Sequence, residues 1–264
     1  MEKYPLAAIL LIVGVVLGFG TGYVMYSGHP TSIMASITAR GYILVGTNTP
    51  YPPFEVYNAT THVFSGFEIE LMERVAAYMG LTVQWNDMAF DALVGACKAG
   101  TVDVICAAMF LTPQRAGELA ASTPYLSMNE VVVVKNSSSL TISNLTEDLN
   151  GKIVGVQTGT VEDGELTAIN SAGGTIDIRR YTSADLMFTA LIGDTLDALY
   201  IDEPVYAVYN TIYTLKTIFT VEAPPICAYA RPDGLDLLGS INLALYALEA
   251  NGTISAMVTK YLVL

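Results

Sequence analysis

Apolar residues run almost unbroken from Leu6 to Met25, a stretch of membrane-spanning length. Lys3 is the basic side chain ahead of it, and Glu2 offsets its charge. A removable export signal has a shorter apolar region and a small-residue cleavage site. No such site follows Met25, and no cysteine follows it to carry a lipid. The run reads as an uncleaved N-terminal membrane anchor over 1–28, and under either reading the remainder is exported. Residues 29–39 are polar and small and read as a stalk.

Beyond the stalk the apolar period alternates between two and 3.6. Tyr42 to Gly46 reads as a strand, and the three prolines of Thr47-Asn48-Thr49-Pro50-Tyr51-Pro52-Pro53-Phe54 exclude regular structure after it. Phe64 to Gly80 reads as a helix, with Phe67, Leu71, Met72, Val75 and Met79 on one face and Gly80 as its cap. Leu81 to Trp85 then reads as a strand, Phe90 to Lys98 as a helix and Val102 to Ala107 as a strand. This β-α-β-α-β order predicts a mostly parallel sheet covered by helices.

The pattern restarts after Asn150. Lys152 to Val156, Ile176 to Tyr181 and Leu196 to Ile201 read as strands, with helices between them. Phe90-Asp-Ala-Leu before Gly100-Thr-Val-Asp103 is echoed by Phe188-Thr-Ala-Leu before Gly193-Asp-Thr-Leu-Asp197. Each echo delivers its next residues to the carboxyl edge of a parallel sheet, where α/β folds bind ligands. The chain leaves the first unit near Tyr125 to Val134 and returns near Thr220 to Pro225. Two crossings make a natural hinge. The expected division is lobe 1 over 40–128 and 222–264, and lobe 2 over 129–221.

Composition narrows the function classes. Formal net charge is -13, which argues against nucleic acid and anionic lipid headgroups as partners. Cys97, Cys106 and Cys227 show no C-x-x-C spacing and read as buried small hydrophobes. His29 and His62 are isolated, so neither a histidine metal site nor a catalytic triad has support. Asn58, Asn136, Asn144 and Asn251 head glycosylation sequons, which fit an exported chain but arise often by chance.

Only 12 Lys and Arg stand against 25 Asp and Glu, so a cation in apolar surroundings needs a reason. Arg115, in Cys106-Ala-Ala-Met-Phe-Leu-Thr-Pro-Gln-Arg115, lies just past the carboxyl end of a strand. Its guanidinium fork suits a carboxylate held by two parallel hydrogen bonds. The bland alternative is a surface pair with Glu118. Asp202 lies at the matching place in the second unit and would hold an ammonium; its bland alternative is a cap on the helix that Pro204 begins. Thr160 sits where a strand ends and a helix begins, a position that favours an anion.

These residues resemble the family 3 extracellular solute-binding proteins, the polar amino-acid receptors of ABC importers. The resemblance covers nearly all of 40–262. It rests on Val45-Gly-Thr-Asn-Thr-Pro-Tyr-Pro-Pro-Phe54, Gly66-Phe-Glu-Ile-Glu-Leu71, Met88-Ala-Phe-Asp-Ala-Leu93, Leu111-Thr-Pro-Gln-Arg115, Gly151-Lys-Ile-Val-Gly-Val-Gln-Thr-Gly-Thr160, Asp202-Glu-Pro204 and Asn251-Gly-Thr253, in order. It implies an α/β, two-lobed, periplasmic-binding-protein-like fold of type II. It also implies capture of a free amino acid for ABC permease subunits on the outer face of the membrane. A monomer with neither cofactor nor metal is expected.

The resemblance further implies that Arg115 clamps the ligand carboxylate and Asp202 its ammonium. Tyr51 and Phe90 would wall the ligand, with packing alone as their alternative role. Asn48 would touch the ligand side chain, and Gln157 to Thr160 would lie near its carboxylate. Ala108 offers no side-chain donor. Phe110 stands where relatives carry a small hydroxyl, so either the ligand is small or apolar or Phe110 turns away. Asn48 stands where receptors for cationic amino acids often carry an acid; Glu162 would restore that preference if it faced the cleft. A dehydratase of prephenate or arogenate with the same fold is an alternative, with Glu55, Glu162 and Glu203 as its available acids. A sensory module is another.

Overall fold

The computed structural model describes residues 32–262. The anchor expected over 1–28 lies outside the described residues, and among those described no helix is long and apolar enough to cross a membrane. Where a stalk is expected, the chain folds as a helix, Ile33–Arg40. Ser32 caps it by accepting from the Ala35 N–H, and Gly41 closes it at φ 79. Ile33 and Ile37 share one face and pack on the core, Ile37 fully buried. Met34 packs against the core beside them, so an apolar stripe docks this short helix.

The first half contributes β1 (Tyr42–Thr47), β2 (Val56–Asn58), β3 (Val63–Ser65), β4 (Thr82–Asp87), β5 (Val104–Ile105) and β6 (Ala120–Ala121). The second contributes β7 (Asn129–Lys135), β8 (Ile153–Gln157), β9 (Asp177–Tyr181), β10 (Ala198–Asp202), β11 (Leu215–Glu222) and β12 (Tyr229–Ala230). They form two five-stranded sheets, ordered β4-β1-β5-β12-β6 and β11-β7-β10-β8-β9, and a β2-β3 hairpin. β1 runs parallel to β4 and β5, and β8 parallel to β9 and β10. β7 and β12 are antiparallel to their neighbours, and each is entered directly from the other sheet. The mostly parallel expectation therefore holds within each β-α-β unit and gives way where the chain crosses.

The two crossings run side by side. Ile226 N–H donates to the Leu126 carbonyl at 2.8 Å, and Tyr125 N–H donates to the Ile226 carbonyl at 3.1 Å. Helices pack on both sheets, and Val131 to Val134 are fully buried, so β7 is covered on both faces. The carboxyl ends of β1, β5, β8 and β10 point into the space between the sheets.

The helix expected from Phe64 begins later, at Phe67, because residues 63–65 pair with 56–58. Its first amides close on the proline turn: Phe67 N–H donates to the Pro53 carbonyl at 2.9 Å and Glu68 N–H to the Phe54 carbonyl at 3.1 Å. Gly66 makes this approach possible at φ 132, where a Cβ would lie 2.2 Å from the Phe54 oxygen. Gly80 has φ 73 but open space around it. Gly66→Ala is therefore expected to destabilise the fold by more than about 2 kcal/mol, against about 1 kcal/mol for Gly80→Ala. Urea unfolding of both variants checks the order; equal losses would remove the steric argument.

Candidate functional site

The turn after β1 is fixed by its own backbone. Tyr51 N–H donates to the Glu55 carbonyl at 2.8 Å, and Phe54 N–H to the Tyr51 carbonyl at 3.0 Å. This aims Tyr51 across the cleft, where its hydroxyl donates to Asp202 Oδ2 at 2.8 Å. Asn48 makes a second bridge between lobes. Its Nδ2 donates to the Met88 carbonyl at 2.7 Å, and its Oδ1 accepts from Gln157 Nε2 at 2.6 Å.

These side chains wall a small cavity of about 10 Å³ between the lobes. Asn48, Tyr51, Phe90, Ala108, Phe110, Gln157, Thr160 and Asp202 all line it, joined by Ala107, Glu55 and Glu162. That is about the room of one water molecule, far below the usual range for small-molecule sites, about 300–1,000 Å³. Phe110 is among the lining residues and is buried in the core cluster.

Arg115 is not among the lining residues. Thr112 caps its short helix, Pro113–Glu118, and Pro113 occupies the first turn. The guanidinium lies over the Phe90 ring, 5.5 Å from its centroid. Nη1 donates to the Phe110 carbonyl at 2.8 Å and Nη2 to the Gly159 carbonyl at 3.1 Å. One acceptor comes from each lobe. Arg115 instead lines a wider outer groove with Phe90, Thr160 and Glu165. The Glu118 alternative is absent, because Glu118 pairs with Lys98 at 2.8 Å.

Thr160 caps the helix Val161–Ser171 by accepting from the Asp163 N–H, and its hydroxyl donates to the Gln157 carbonyl at 2.9 Å. Asp202 makes no capping bond to the helix Glu203–Asn210, which leaves its carboxylate to the cavity.

Acids dominate the interior. One carboxylate oxygen from each of Glu130, Glu162 and Asp202 lies within 4.8 Å of the others, and all three residues are buried. Glu130 was not singled out by the sequence. It starts β7, and Asp202 ends β10; the antiparallel register sets them directly opposite each other. An antiparallel pair of this kind is the only signal that brings them together, and the sequence does not announce it. Burial pushes the Asp202 and Glu162 carboxyls well above the usual carboxylate range, and the charge of each neighbouring acid adds to the rise. Burial likewise pushes Glu130 up to about 9, with Glu162 adding to the effect. Glu130 Oε1, Asp202 Oδ1 and Glu55 Oε2 are buried with no hydrogen-bond partner. Glu68 differs: its Oε2 accepts from the Ala108 N–H at 2.8 Å and its Oε1 from the Tyr125 hydroxyl at 2.6 Å.

Of the three acids offered for dehydratase chemistry, Glu55 and Glu162 reach the cavity. Glu203 is exposed and bonds Asn129 instead. Cys97, Cys106 and Cys227 are all buried free thiols.

The family model of the bacterial extracellular solute-binding proteins, family 3, matches residues 43–263. The chain is 32% identical over 160 residues to a probable histidine-binding protein of Campylobacter jejuni, covering 60% of this chain and 59% of that one. It is 27% identical over 237 residues to the arginine-binding extracellular protein ArtP of Bacillus subtilis, covering 88% of this chain and 90% of that one. Among solved structures, the ancestral amino acid-binding protein AncCDT-1, a precursor of cyclohexadienyl dehydratase, superposes with a TM-score of 0.80 at 25% identity, covering 88% of this chain and 100% of that one. With two α/β lobes closing on a cavity at their carboxyl edges, and a family model that matches almost all of the described chain, the protein belongs to the bacterial extracellular solute-binding proteins, family 3.

Proposed function

We propose that this chain is the extracytoplasmic binding component of an amino-acid ABC importer, and that the cavity between its lobes takes one free amino acid. The observation that carries the reading is Asp202: a buried carboxylate with one unpartnered oxygen, at the carboxyl edge of β10, in a cavity shared by both lobes. A ligand ammonium supplies the missing donors. Tyr51 and Phe90 wall the ligand's carbon skeleton, and Asn48 and Gln157 join the lobes over it. Arg115 can reach a ligand carboxylate through N–H groups not used on the Phe110 and Gly159 carbonyls, or by releasing one of them. Because those carbonyls belong to different lobes, carboxylate capture and closure then share one side chain.

The same reading includes lobe 1 over 40–128 and 222–264, lobe 2 over 129–221, an anchor within 1–28, and a monomer that hands its ligand to permease subunits. The names carried by the relatives, histidine- and arginine-binding, support an amino-acid ligand. No bond is broken in this function.

Thermal shift with the twenty amino acids tests it. At about a hundred times Kd, a ligand adds close to 3 kcal/mol to stability, a readily measured rise in Tm. Asp202→Asn is expected to weaken binding at least about 30-fold, because a buried charge partner is lost. Unchanged affinity in that variant would overturn the assignment of Asp202.

The buried acids also set a pH dependence. A carboxyl whose folded pKa lies above its unfolded value binds more protons in the native state, so its stabilising contribution is complete at low pH and is lost as pH rises. For Glu130 the window runs from the ordinary value near 4.5 up to about 9. Glu55, Glu162 and Asp202 act in the same direction. Stability is expected to fall between pH 5 and pH 9. Glu130→Gln is expected to be close to neutral at pH 5 and stabilising by at least about 1 kcal/mol at pH 9. Urea midpoints at the two pH values check this; a variant gain that does not grow with pH would contradict it.

A further inference from the structure

We infer that Glu130, Glu162 and Asp202 form a cage for a single primary ammonium group, and that the entering ammonium displaces a proton that leaves through Tyr200 and Glu165. The inference rests on the proposed reading of the cavity as an amino-acid site, and adds to it which residues select the cation and what is exchanged for it.

Geometry supports the cage in two ways. Three acceptors each about 2.8 Å from one tetrahedral nitrogen stand about 4.6 Å apart, and the three carboxylate oxygens here lie within 4.8 Å of one another. The second support is the unpartnered oxygens. Glu130 Oε1 and Asp202 Oδ1 are buried without a partner, while the other oxygen of each already hydrogen-bonds a tyrosine hydroxyl, Tyr200 at 2.8 Å and Tyr51 at 2.8 Å. A primary ammonium carries three N–H donors, one for each acid of the cage.

The proton is assigned by hydrogen counting. The Tyr200 hydroxyl has one hydrogen to donate. It lies 2.8 Å from Glu130 Oε2 and 2.6 Å from Glu165 Oε2. It can donate to only one of them, and burial pushes the Glu130 carboxyl up to about 9, so Glu130 carries the proton and donates to the tyrosine oxygen. Glu165 is partly exposed and lines the outer groove, while Glu130 faces the cage. The tyrosine therefore connects the buried acids to solvent by a chain of hydrogen bonds.

The surroundings favour exchange over simple accumulation of charge. From lobe 1, Tyr51, Glu55, Glu68 and Arg115 bear on Asp202, and Arg115 is the cation among them. From lobe 2, Glu165 and Tyr200 bear on Glu130. An ammonium placed among the three acids favours their ionised forms, and the proton held by Glu130 is released. The balance is one ammonium in and one proton out, with no bond to carbon made or broken.

Calorimetric titration of the full chain with each of the twenty amino acids, at pH 7 in phosphate and in Tris, tests this. The two buffers differ in ionisation enthalpy, so the difference in heat counts protons. We expect about one proton released per ligand bound, and release cut by at least half in Glu130→Gln with binding still measurable. The Nα,Nα-dimethyl derivative of the tightest-binding amino acid should bind at least about 100-fold more weakly, since two charge-assisted hydrogen bonds are lost. Equal heats in the two buffers with binding intact, or a dimethyl derivative that binds like its parent, would overturn the cage while leaving the amino-acid reading in place. Stabilisation by Ca2+ or Mn2+ equal to that by the best amino acid would reassign the cage to a metal and overturn the ammonium reading. No heat with any of the twenty would overturn the amino-acid reading and the cage together.

Discussion

The Tyr51 hydroxyl meets Asp202 Oδ2 at 2.8 Å across the boundary between lobes, and the arrangement of the site depends on that contact. It holds Asp202 in a dry place where a carboxylate is costly to ionise. It also fixes which Asp202 oxygen stays without a donor. Once Asp202 is held there, the strand register brings Glu130 opposite, and the first turn of the helix Val161–Ser171 adds Glu162. Arg115 is the cation in reach, yet its donors go to carbonyl oxygens of Phe110 and Gly159. The interior therefore keeps an excess of acceptors over donors around the acids.

Two backbone features make that contact possible. The proline turn after β1 has its carbonyls tied down by the first amides of the helix Phe67–Tyr78, and Gly66 lets the two approach. Tyr51 is thus aimed by helix amides that would otherwise lack partners. On the other side, β7 enters the second sheet directly from the first lobe and lies antiparallel to β10. A crossing strand that ran parallel would set Glu130 at the far end of the sheet from Asp202. The hinge and the acid pair are consequences of the same crossing.

Much of this was legible in the sequence, and the remainder fails for identifiable reasons. The loop residues Asn48, Tyr51, Gln157, Thr160 and Asp202 were placed correctly at strand ends because a β-α-β rhythm puts every such end on one edge. Glu130 was not, because nothing local says that β7 runs antiparallel. The direction of Arg115 was not legible either. A guanidinium chooses among nearby acceptors, and the Phe110 and Gly159 carbonyls are brought near it only by tertiary packing. The helix Ile33–Arg40 reads as a stalk in the sequence because its small residues hide the stripe Ile33, Met34 and Ile37 that docks it on the core.

Unpartnered buried carboxylates cost stability in a way that a ligand can relieve. Each of Glu130, Glu55 and Asp202 lacks a donor on one oxygen, and each has its carboxyl pushed up by burial. Such groups are expensive to leave unsatisfied, and more so when charged. Filling the cavity with apolar side chains would make a more stable protein that had no reason to select a cation. A neutral ligand of the right shape would leave the same oxygens without donors, and would forgo the largest gain available there. The proposed selectivity for an ammonium group rests on what the fold leaves unpaired, and a ligand that removed that cost from both lobes together would favour closure most.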